Sequence, residues 1–239
     1  MGVEYSPLSL DAFLRGRKAV HAEGVCARVH MGQLLVGLTW DLLGKAESVH
    51  GGAASLMRGE RELYGPIVDR LRAALPGPIS IDIEATLPLI STEAQPLRTD
   101  ISVRMPGCHR QGKAAKTPQA MFIEVKSAFA GERLREADVC HDLAKLARCR
   151  AAYGAQCFFM IVGLADSLRR GAVGRLLGLA TPSAMLRIEL EGIGPVWLQL
   201  TASNTVGAIH SHVWLVSTTA SLPADAGYYR YSLFQHLMG

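Results

Sequence analysis

The sequence predicts an α/β fold, because segments of helical and of strand periodicity alternate through the middle of the 239-residue chain. Between residues 61 and 164 the order is helix, three strands, helix, strand. A hydrophobic content of 49% is sufficient for a substantial buried core. Segments of helical character precede this region and strand-like segments follow it. We therefore predict an N-terminal helical extension over residues 1–60, packed on a core domain over residues 61–239.

The first helix of the core is predicted by apolar residues at helical spacing in "RELYGPIVDRLRAAL", namely Leu63, Ile67, Leu71 and Leu75. Pro66 is tolerated comfortably only in a first turn, so the helix is expected to start or kink there. The "PGP" at residues 76–78 ends it.

Three strands are predicted after this helix. "ISIDIEATL" (79–87) alternates strictly between apolar and polar residues, which is typical of a half-buried strand. "RTDISVRM" (98–105) repeats this alternation, and "AMFIEVKSA" (120–128) carries apolar residues on both faces. The loop between the last two strands contains Gly and Pro and is basic.

A second helix and a buried strand complete the predicted core. "READVCHDLAKLARCRAAYG" has a helical apolar stripe and ends at Gly154. "QCFFMIVGL" (156–164) is a continuous apolar run, as expected for a strand that is buried on both faces. A further helix is predicted in "SLRRGAVGRLLGL", and three more strands in "AMLRIELEG", "PVWLQLTAS" and "SHVWLVSTT".

Two charged residues interrupt the third predicted strand, although charged side chains rarely enter a core unless they are paired or used. Glu124 and Lys126 lie two residues apart, so in a strand both side chains leave the same face. Asp100 lies on the preceding strand and points away from its apolar neighbours. If these strands pair as a hairpin, Asp100 and Glu124 converge across the ladder.

Two converging carboxylates and a lysine suit the hydrolysis of phosphodiester bonds. Carboxylate oxygens are the ligands that Mg²⁺ and Mn²⁺ prefer. Such a cation polarises a phosphate oxygen and lowers the pKa of a bound water. A nearby ammonium can orient that water and counter the charge that develops on the phosphate. The pattern therefore predicts that Asp100, Glu124 and Lys126 are catalytic residues with Mg²⁺ or Mn²⁺ as cofactor.

The chain resembles the PD-(D/E)XK nuclease superfamily in three features. They are "TD" at residues 99–100, "EVK" at residues 124–126 and the order of elements over residues 61–164. This order is similar to the restriction-endonuclease-like αβββαβ core, a mixed central sheet flanked by helices. Here extra N-terminal helices and C-terminal strands lie outside it. Thr99 stands where the motif name has proline, at a position that varies widely in the family.

The resemblance implies a metal-dependent deoxyribonuclease, an endonuclease, that hydrolyses phosphodiester bonds in DNA. Asp100, Glu124 and the carbonyl group of Val125 would hold the metal, and Lys126 would serve the attacking water. Members often add a carboxylate from the first helix of the core, for which Glu62 is the best match and Glu60 the competitor. Glu62 also suits the start of a helix through the helix dipole alone.

Asp142 and Lys145 on the second predicted helix resemble a frequent D-x-x-K-L element of the family. Residues three apart on a helix are neighbours, and oppositely charged pairs at this spacing are common on helix surfaces. We therefore interpret these two residues as a surface ion pair.

The basic loop before the third strand offers candidate contacts to DNA. It carries Arg104, Arg110, Lys113 and Lys116 and no acidic residue, so it could track a phosphate backbone, or equally form a solvated hairpin tip. Residues 61–180 contain 17 basic and 12 acidic residues, which is compatible with a polyanionic partner.

Two other functions stay open from the sequence. The first is a non-catalytic nucleic-acid-binding or scaffold protein on the same fold, although such a protein need not keep Asp100, Glu124 and Lys126 together. The second is a zinc enzyme that uses neighbouring cysteine and histidine residues, namely Cys108, His109, Cys140 and His141.

The cysteines and the hydropathy predict a cytoplasmic protein without a membrane anchor. The chain has 5 cysteines, an odd number, and no CxxC pair, which disfavours a disulfide framework. There is no apolar stretch of about 20 residues that would span a membrane. A homodimer is compatible with the cleavage of both DNA strands.

Overall fold

The computed structural model describes residues 26–47, 59–75, 79–90, 96–105, 119–129, 134–171, 174, 177, 185–220 and 228–232. The strands in these segments are β1 (Cys26–His30), β2 (Ser80–Thr86), β3 (Arg98–Met105), β4 (Gln119–Ala128), β5 (Gln156–Leu164), β6 (Met185–Leu190), β7 (Gly194–Val206), β8 (Ile209–Ser217) and β9 (Tyr228–Ser232). The helices are α1 (Met31–Val36), α2 (Leu38–Glu47), α3 (Arg61–Ala74), α4 (Glu136–Tyr153) and α5 (Ala165–Leu168). None of the described helices is long and apolar enough to cross a membrane.

A seven-stranded mixed sheet forms the centre of the molecule, in the order β2-β3-β4-β5-β8-β7-β6. β4 and β5 run parallel, and the other neighbouring strands of this sheet run antiparallel. Parallel neighbours need a crossover, and α4 provides it. The predicted α/β fold with a mixed central sheet is therefore confirmed. From α3 to β5 the elements follow the predicted order of helix, three strands, helix and strand.

Both faces of the central sheet are covered, so β4 is buried on its two sides. Ile123 and Val125 belong to a core that contains the apolar residues of α1, α2 and α3. Phe122 belongs to a second core, which contains the apolar residues of α4. Any charged side chain in the middle of β4 must therefore find partners inside the protein.

The helices before residue 60 pack against the far half of the sheet, on β7 and β8. On α2, the hydroxyl group of Thr39 lies 2.6 Å from that of Ser211 on β8. The guanidinium of Arg70 on α3 donates two hydrogen bonds to the carboxylate of Asp41 on α2, at 2.7 and 3.0 Å. These contacts connect α2 to the sheet and to α3.

The helical prediction for residues 1–60 is wrong at Cys26–His30, which forms the strand β1. β1 pairs antiparallel with β9 in a separate two-stranded sheet, with Val29 opposite Tyr229. Three of the five residues of β9 are tyrosines, a residue type that favours strands. The partner is about 200 residues away in the chain, so local periodicity did not indicate this pairing.

Helix α3 starts at Arg61 and contains Pro66 in its interior, so it does not start at the proline. Its first turn therefore lies over residues 61–64, and Glu60 occupies the position before it. Because α3 starts here, the acidic residues around its N-terminus line the same cleft as Lys126 on β4.

Gly163 on β5 allows the backbone of β5 to approach β4 closely. A Cβ atom at this position would clash with the carbonyl oxygen of Ala128, which is a backbone atom and cannot turn aside. We expect Gly163→Ala to lower the free energy of unfolding by about 1–3 kcal/mol, measured by urea denaturation. The matched control is Gly65→Ala on α3, where a Cβ atom meets nothing within 4 Å apart from the chain neighbours. It should change stability by less than about 1 kcal/mol, because the better helix propensity of alanine is offset by the restriction that Pro66 places on the residue before it. Equal stability of the two variants would contradict the close approach.

Candidate active site

The β3–β4 ladder brings Asp100 next to Glu124. The two strands pair antiparallel, with Ile101 opposite Ile123. This is the last pair of the ladder, so Asp100 and Glu124 are the residues that directly follow it on the two strands. The charge of Asp100 is among the causes that raise the pKa of Glu124, so the two carboxylates lie close together at the end of the ladder.

Asp100 is held by donors from two elements. Its Oδ2 accepts a hydrogen bond from the backbone N–H of Val125 at 2.7 Å. The phenol of Tyr64 on α3 also forms a hydrogen bond with Asp100. Burial, and then the charge of Asp100, raises the pKa of this phenol, so Tyr64 keeps its proton and donates it. The carboxylate of Asp100 is thereby held by two hydrogen bonds.

Lys126 lies between two carboxylates and lines a surface cleft. Its Nζ is 2.7 Å from Oδ2 of Asp142 and 3.2 Å from Oε2 of Glu60. Burial lowers the pKa of Lys126, but the charges of Asp142 and Glu60 outweigh this effect, and the pKa is raised overall. The ammonium therefore stays protonated at neutral pH.

Glu124 is the most deeply buried charged side chain of the site, at 1% exposure. Its Oε2 is 2.8 Å from Nζ of Lys145, whereas its Oε1 has no hydrogen-bond partner among the described residues. Burial is the main cause that raises the pKa of Glu124 to about 8, and the charge of Asp100 adds to it, while Lys145 opposes the rise. An unsatisfied buried oxygen is costly and needs a proton or a cation.

The pair Asp142 and Lys145 belongs to this site, so its interpretation as a surface ion pair is wrong. Both side chains are buried, and α4 directs them at the two charged residues of β4. One sequence signal was available. Asp142 is three residues after Val139 and four before Leu146, so it lies within the apolar stripe of α4.

The two acidic residues at the start of α3 take different positions. Glu60 contacts Lys126 and accepts a hydrogen bond from the backbone of Ser127. Burial raises the pKa of Glu60, and Lys126 opposes this. Glu62 lines the same cleft but is exposed. A metal-binding role of Glu62 stays a prediction.

The cleft has a volume of about 880 Å³ and combines charges of both signs. Its charged lining residues are Glu60, Arg61, Glu62, Glu84, Asp100, Lys126, Arg135 and Asp138. Arg61 and Arg135 are exposed, and each is paired with a carboxylate of the cleft, Glu84 and Asp138 respectively. Both arginines are therefore available to an anionic substrate by exchange of an exposed ion pair.

Glu84 on β2 has an unusual backbone conformation. Among the described residues it is the only non-glycine residue with a positive φ, at 50°. The register pairs its neighbours, Ile83 with Ile101 and Ala85 with Thr99, so Glu84 stands across from Asp100. Strained backbone conformations of this kind occur preferentially at functional sites.

Most of the predicted DNA-contacting loop lies outside the described residues, including Arg110, Lys113 and Lys116. Arg104 is described, and its guanidinium pairs with Asp82 on β2 at 2.6 Å. Of the zinc ligands considered above, Cys108 and His109 also lie outside the described residues.

Asp100 and Glu124 offer two carboxylates, the ligand type that hard divalent cations prefer. Within the described segments there is no group of three or more His, Cys, Asp or Glu side chains that could hold a metal ion. Mg²⁺ keeps several waters and is commonly bound by one or two carboxylates, which Asp100 and Glu124 can supply. The unpartnered Oε1 of Glu124 is an oxygen that such a cation would satisfy.

The chain was also compared with known proteins. No model of a known protein family matches it, and neither the curated proteins nor the solved structures contain a match.

Proposed function

We propose that this protein is a divalent-metal-dependent nuclease with a restriction-endonuclease-like core, which hydrolyses phosphodiester bonds in DNA. One observation carries this function: Asp100 and Glu124 lie close together at the end of the β3–β4 ladder, and Lys126, two residues on, lines the adjacent cleft. The order of elements from α3 to β5 supports it, since it is that of the αβββαβ core.

The charges of the cluster support a role for a dication. The cluster contains four carboxylates and two ammonium groups, namely those of Glu60, Asp100, Glu124, Asp142, Lys126 and Lys145. With all groups ionised its net charge is −2, which is unfavourable in a buried site. One divalent cation or two protons would neutralise it.

Asp100, Glu124 and the carbonyl group of Val125 are the groups that would hold Mg²⁺ or Mn²⁺. When bound there, the cation would polarise a phosphate oxygen and lower the pKa of a water molecule. Glu62 from α3 is a further candidate ligand from the same cleft.

Lys126 acts as a permanent cation rather than as a base. Despite burial, the charges of Asp142 and Glu60 raise its pKa, which favours the ammonium form at physiological pH. Its ammonium can donate a hydrogen bond to the attacking water and oppose the negative charge that grows on the phosphate. Tyr64 and the N–H of Val125 keep Asp100 in one orientation throughout.

DNA is the proposed partner. Arg61 and Arg135 line the cleft and can reach phosphates there, whereas Arg104 on β3 is not among the residues that line it. Arg110, Lys113 and Lys116 stay proposed contacts from the sequence. Cys140, Cys149 and Cys157 are free thiols, in keeping with a proposed cytoplasmic location. A homodimer is proposed only for the cleavage of both strands.

The function is tested with purified protein and plasmid or linear DNA. We expect cleavage with Mg²⁺ or Mn²⁺ and none with EDTA. Calorimetry should show Mn²⁺ binding to the wild-type protein. Asp100→Asn should weaken this binding by at least about tenfold, because one of the two proposed carboxylate ligands loses its charge. Asp82→Asn on β2 is the matched control and should bind Mn²⁺ normally, since Asp82 pairs with Arg104. Wild-type protein that neither binds Mn²⁺ nor cleaves DNA would refute the proposed function.

A non-catalytic nucleic-acid-binding protein is the second candidate. It is favoured by one observation: both charged residues of β4 are already paired with residues of α4, so the network could be purely structural. Binding of DNA without binding of Mn²⁺ would support this alternative.

A further inference from the structure

Helix α4 presents to β4 a pair of charges that complements the strand pair in sign. Glu124 of β4 faces Lys145, at 2.8 Å, and Lys126 of β4 faces Asp142, at 2.7 Å. The two residues of the strand are separated by two positions, about 6.6 Å, and those of the helix by three, about 4.5 Å along its axis. The similar spans allow both contacts to form at once.

Asp142 connects the two ion pairs. Its Oδ2 contacts Lys126, and its Oδ1 contacts Lys145 at 3.2 Å. The result is a continuous row of alternating charges in the order Glu60, Lys126, Asp142, Lys145, Glu124. Asp142 is 5% exposed, so water does not replace either contact readily. Both oxygens of its carboxylate therefore take part in ion pairs, although the contact of Oδ2 with Lys126 lacks hydrogen-bond geometry.

A buried network of this kind is poorly explained by stability alone. The removal of two or more charges from water costs free energy that their attraction often fails to recover, and apolar replacements are frequently as stable. Here the apolar stripe of α4 would have continued through position 142, between Val139 and Leu146. The carboxylate at this position therefore suggests a task for it, which is to hold Lys126.

We propose that Asp142 is a positioning residue for Lys126, and that Lys145 fixes Asp142 in turn. This role rests on the proposed nuclease function, in which the ammonium of Lys126 must point at the reacting phosphate. Without Asp142, Lys126 keeps only its longer contact to Glu60, at 3.2 Å, at the more exposed side of the site. The ammonium then shifts toward the surface.

The test is Asp142→Asn, with Asp142→Glu as a second variant that keeps the charge. We expect Asp142→Asn to lower kcat by about 10- to 100-fold, the usual effect of losing a partner that orients a reactive group. KM for DNA and the affinity for Mn²⁺ should change less than about threefold, because Asp142 contacts neither. The matched control is Asp166→Asn, which removes an exposed carboxylate from another pair at i and i+3.

A spectroscopic signal tests the same contact without DNA or metal. An ammonium held in a buried ion pair exchanges slowly with water, so its ¹H–¹⁵N correlation is observable by NMR. The signal of Lys126, assigned by its loss in Lys126→Met, should shift or vanish in Asp142→Asn and stay in place in Asp166→Asn. If Asp142→Asn does not fold, Asp142→Glu takes its place. Its carboxylate is displaced by one methylene, and kcat should still fall by at least about tenfold.

The outcomes distinguish a failure of the positioning role of Asp142 from a failure of the proposed nuclease function. A folded Asp142→Asn protein with wild-type kcat and an unchanged Lys126 signal would overturn the positioning role. A loss of Mn²⁺ affinity of tenfold or more, with kcat at saturating Mn²⁺ restored, would also overturn it, because Asp142 would then act on the metal site. If the wild-type protein does not cleave DNA, the proposed function fails, and the NMR signal alone decides whether Asp142 holds Lys126.

Discussion

Lys126→Met is expected to lower kcat for DNA cleavage by about 100- to 1000-fold, the range observed when one charge-stabilising donor is removed from an active site. Methionine retains the length and the apolar stem of lysine, so packing between Glu60 and Asp142 changes little. Only the ammonium group is lost. Single-turnover cleavage at saturating Mg²⁺ measures this effect directly.

The affinity for Mn²⁺ should not fall in Lys126→Met. Removal of a positive charge leaves the carboxylates of the cluster less neutralised, so the affinity for Mn²⁺ should stay the same or rise. A drop in kcat without a drop in metal affinity assigns Lys126 to the chemical step. Arg169→Met, at an exposed site at the end of α5, is the matched control for the loss of a long cation. Near-normal cleavage by Lys126→Met would show that Lys126 is not catalytic.

The row of alternating charges keeps the ammonium of Lys126 charged in its partly buried position, as the proposed role in catalysis requires. Burial by itself favours a neutral amine, and a neutral amine would not oppose charge on a phosphate. Asp142 and Glu60 reverse this tendency and keep the ammonium charged. The same two carboxylates also leave donor capacity on Lys126, since an ammonium has three N–H groups.

The strands that carry the site could be predicted because their signals are local. β3 has the predicted bounds, since "RTDISVRM" alternates without interruption. Alternation also predicts that Glu124 and Lys126 share a face, and the hairpin considered for this strand and the one that carries Asp100 is the antiparallel pairing observed. Each of these inferences needs only neighbours in the chain.

The partners of these residues could not be predicted in the same way. Whether Asp142 and Lys145 face solvent or the sheet depends on the rotation of α4, which is set by packing across the whole core. The positions of Glu60 and Glu62 depend on where α3 starts, and Pro66, which was expected at a start or a kink, lies in the interior of the helix. The positive φ of Glu84 has no signal in its own residue type, because glycine or asparagine is usual there.

In metal-free protein, stability is expected to fall as the pH rises from 6.5 to 8.5, because of Glu124. Burial, followed by the charges of Asp100 and Asp142 and opposed by Lys145, raises its pKa from 4.5 to about 8. Between these values the folded state holds a proton that the unfolded state has released. The folded state thus binds more protons, and the free energy of unfolding decreases as the pH rises. The decrease amounts to several kcal/mol between pH 4.5 and about 8.

Other titrating groups act at the two ends of this range. Burial lowers the pKa of His30 and of His210 below 6.5, which makes stability rise with pH only up to that value. Burial also raises the pKa values of Cys140, Cys149 and Cys157 from 9.0, so these thiols add to the fall in stability at the alkaline end. The pKa values of Lys126 and Lys145 are raised from 10.5, so their contributions are constant through pH 8.5. The difference in slope between the wild-type protein and a variant without Glu124, measured by urea denaturation in EDTA between pH 6.5 and 8.5, therefore isolates the carboxyl group.

Glu124→Gln provides the control for the same experiment. Glutamine keeps the size of the side chain and cannot titrate, so the slope should become much shallower and retain only the fall that the cysteines cause at the alkaline end. This holds even if the absolute stability changes because Lys145 loses a charged partner. Wild-type stability that is level or rises over this range would mean that Glu124 is ionised in the folded metal-free protein. The buried Oε1 would then need a hydrogen-bond donor from elsewhere. Another group would have to balance the excess negative charge that is the argument for a divalent cation.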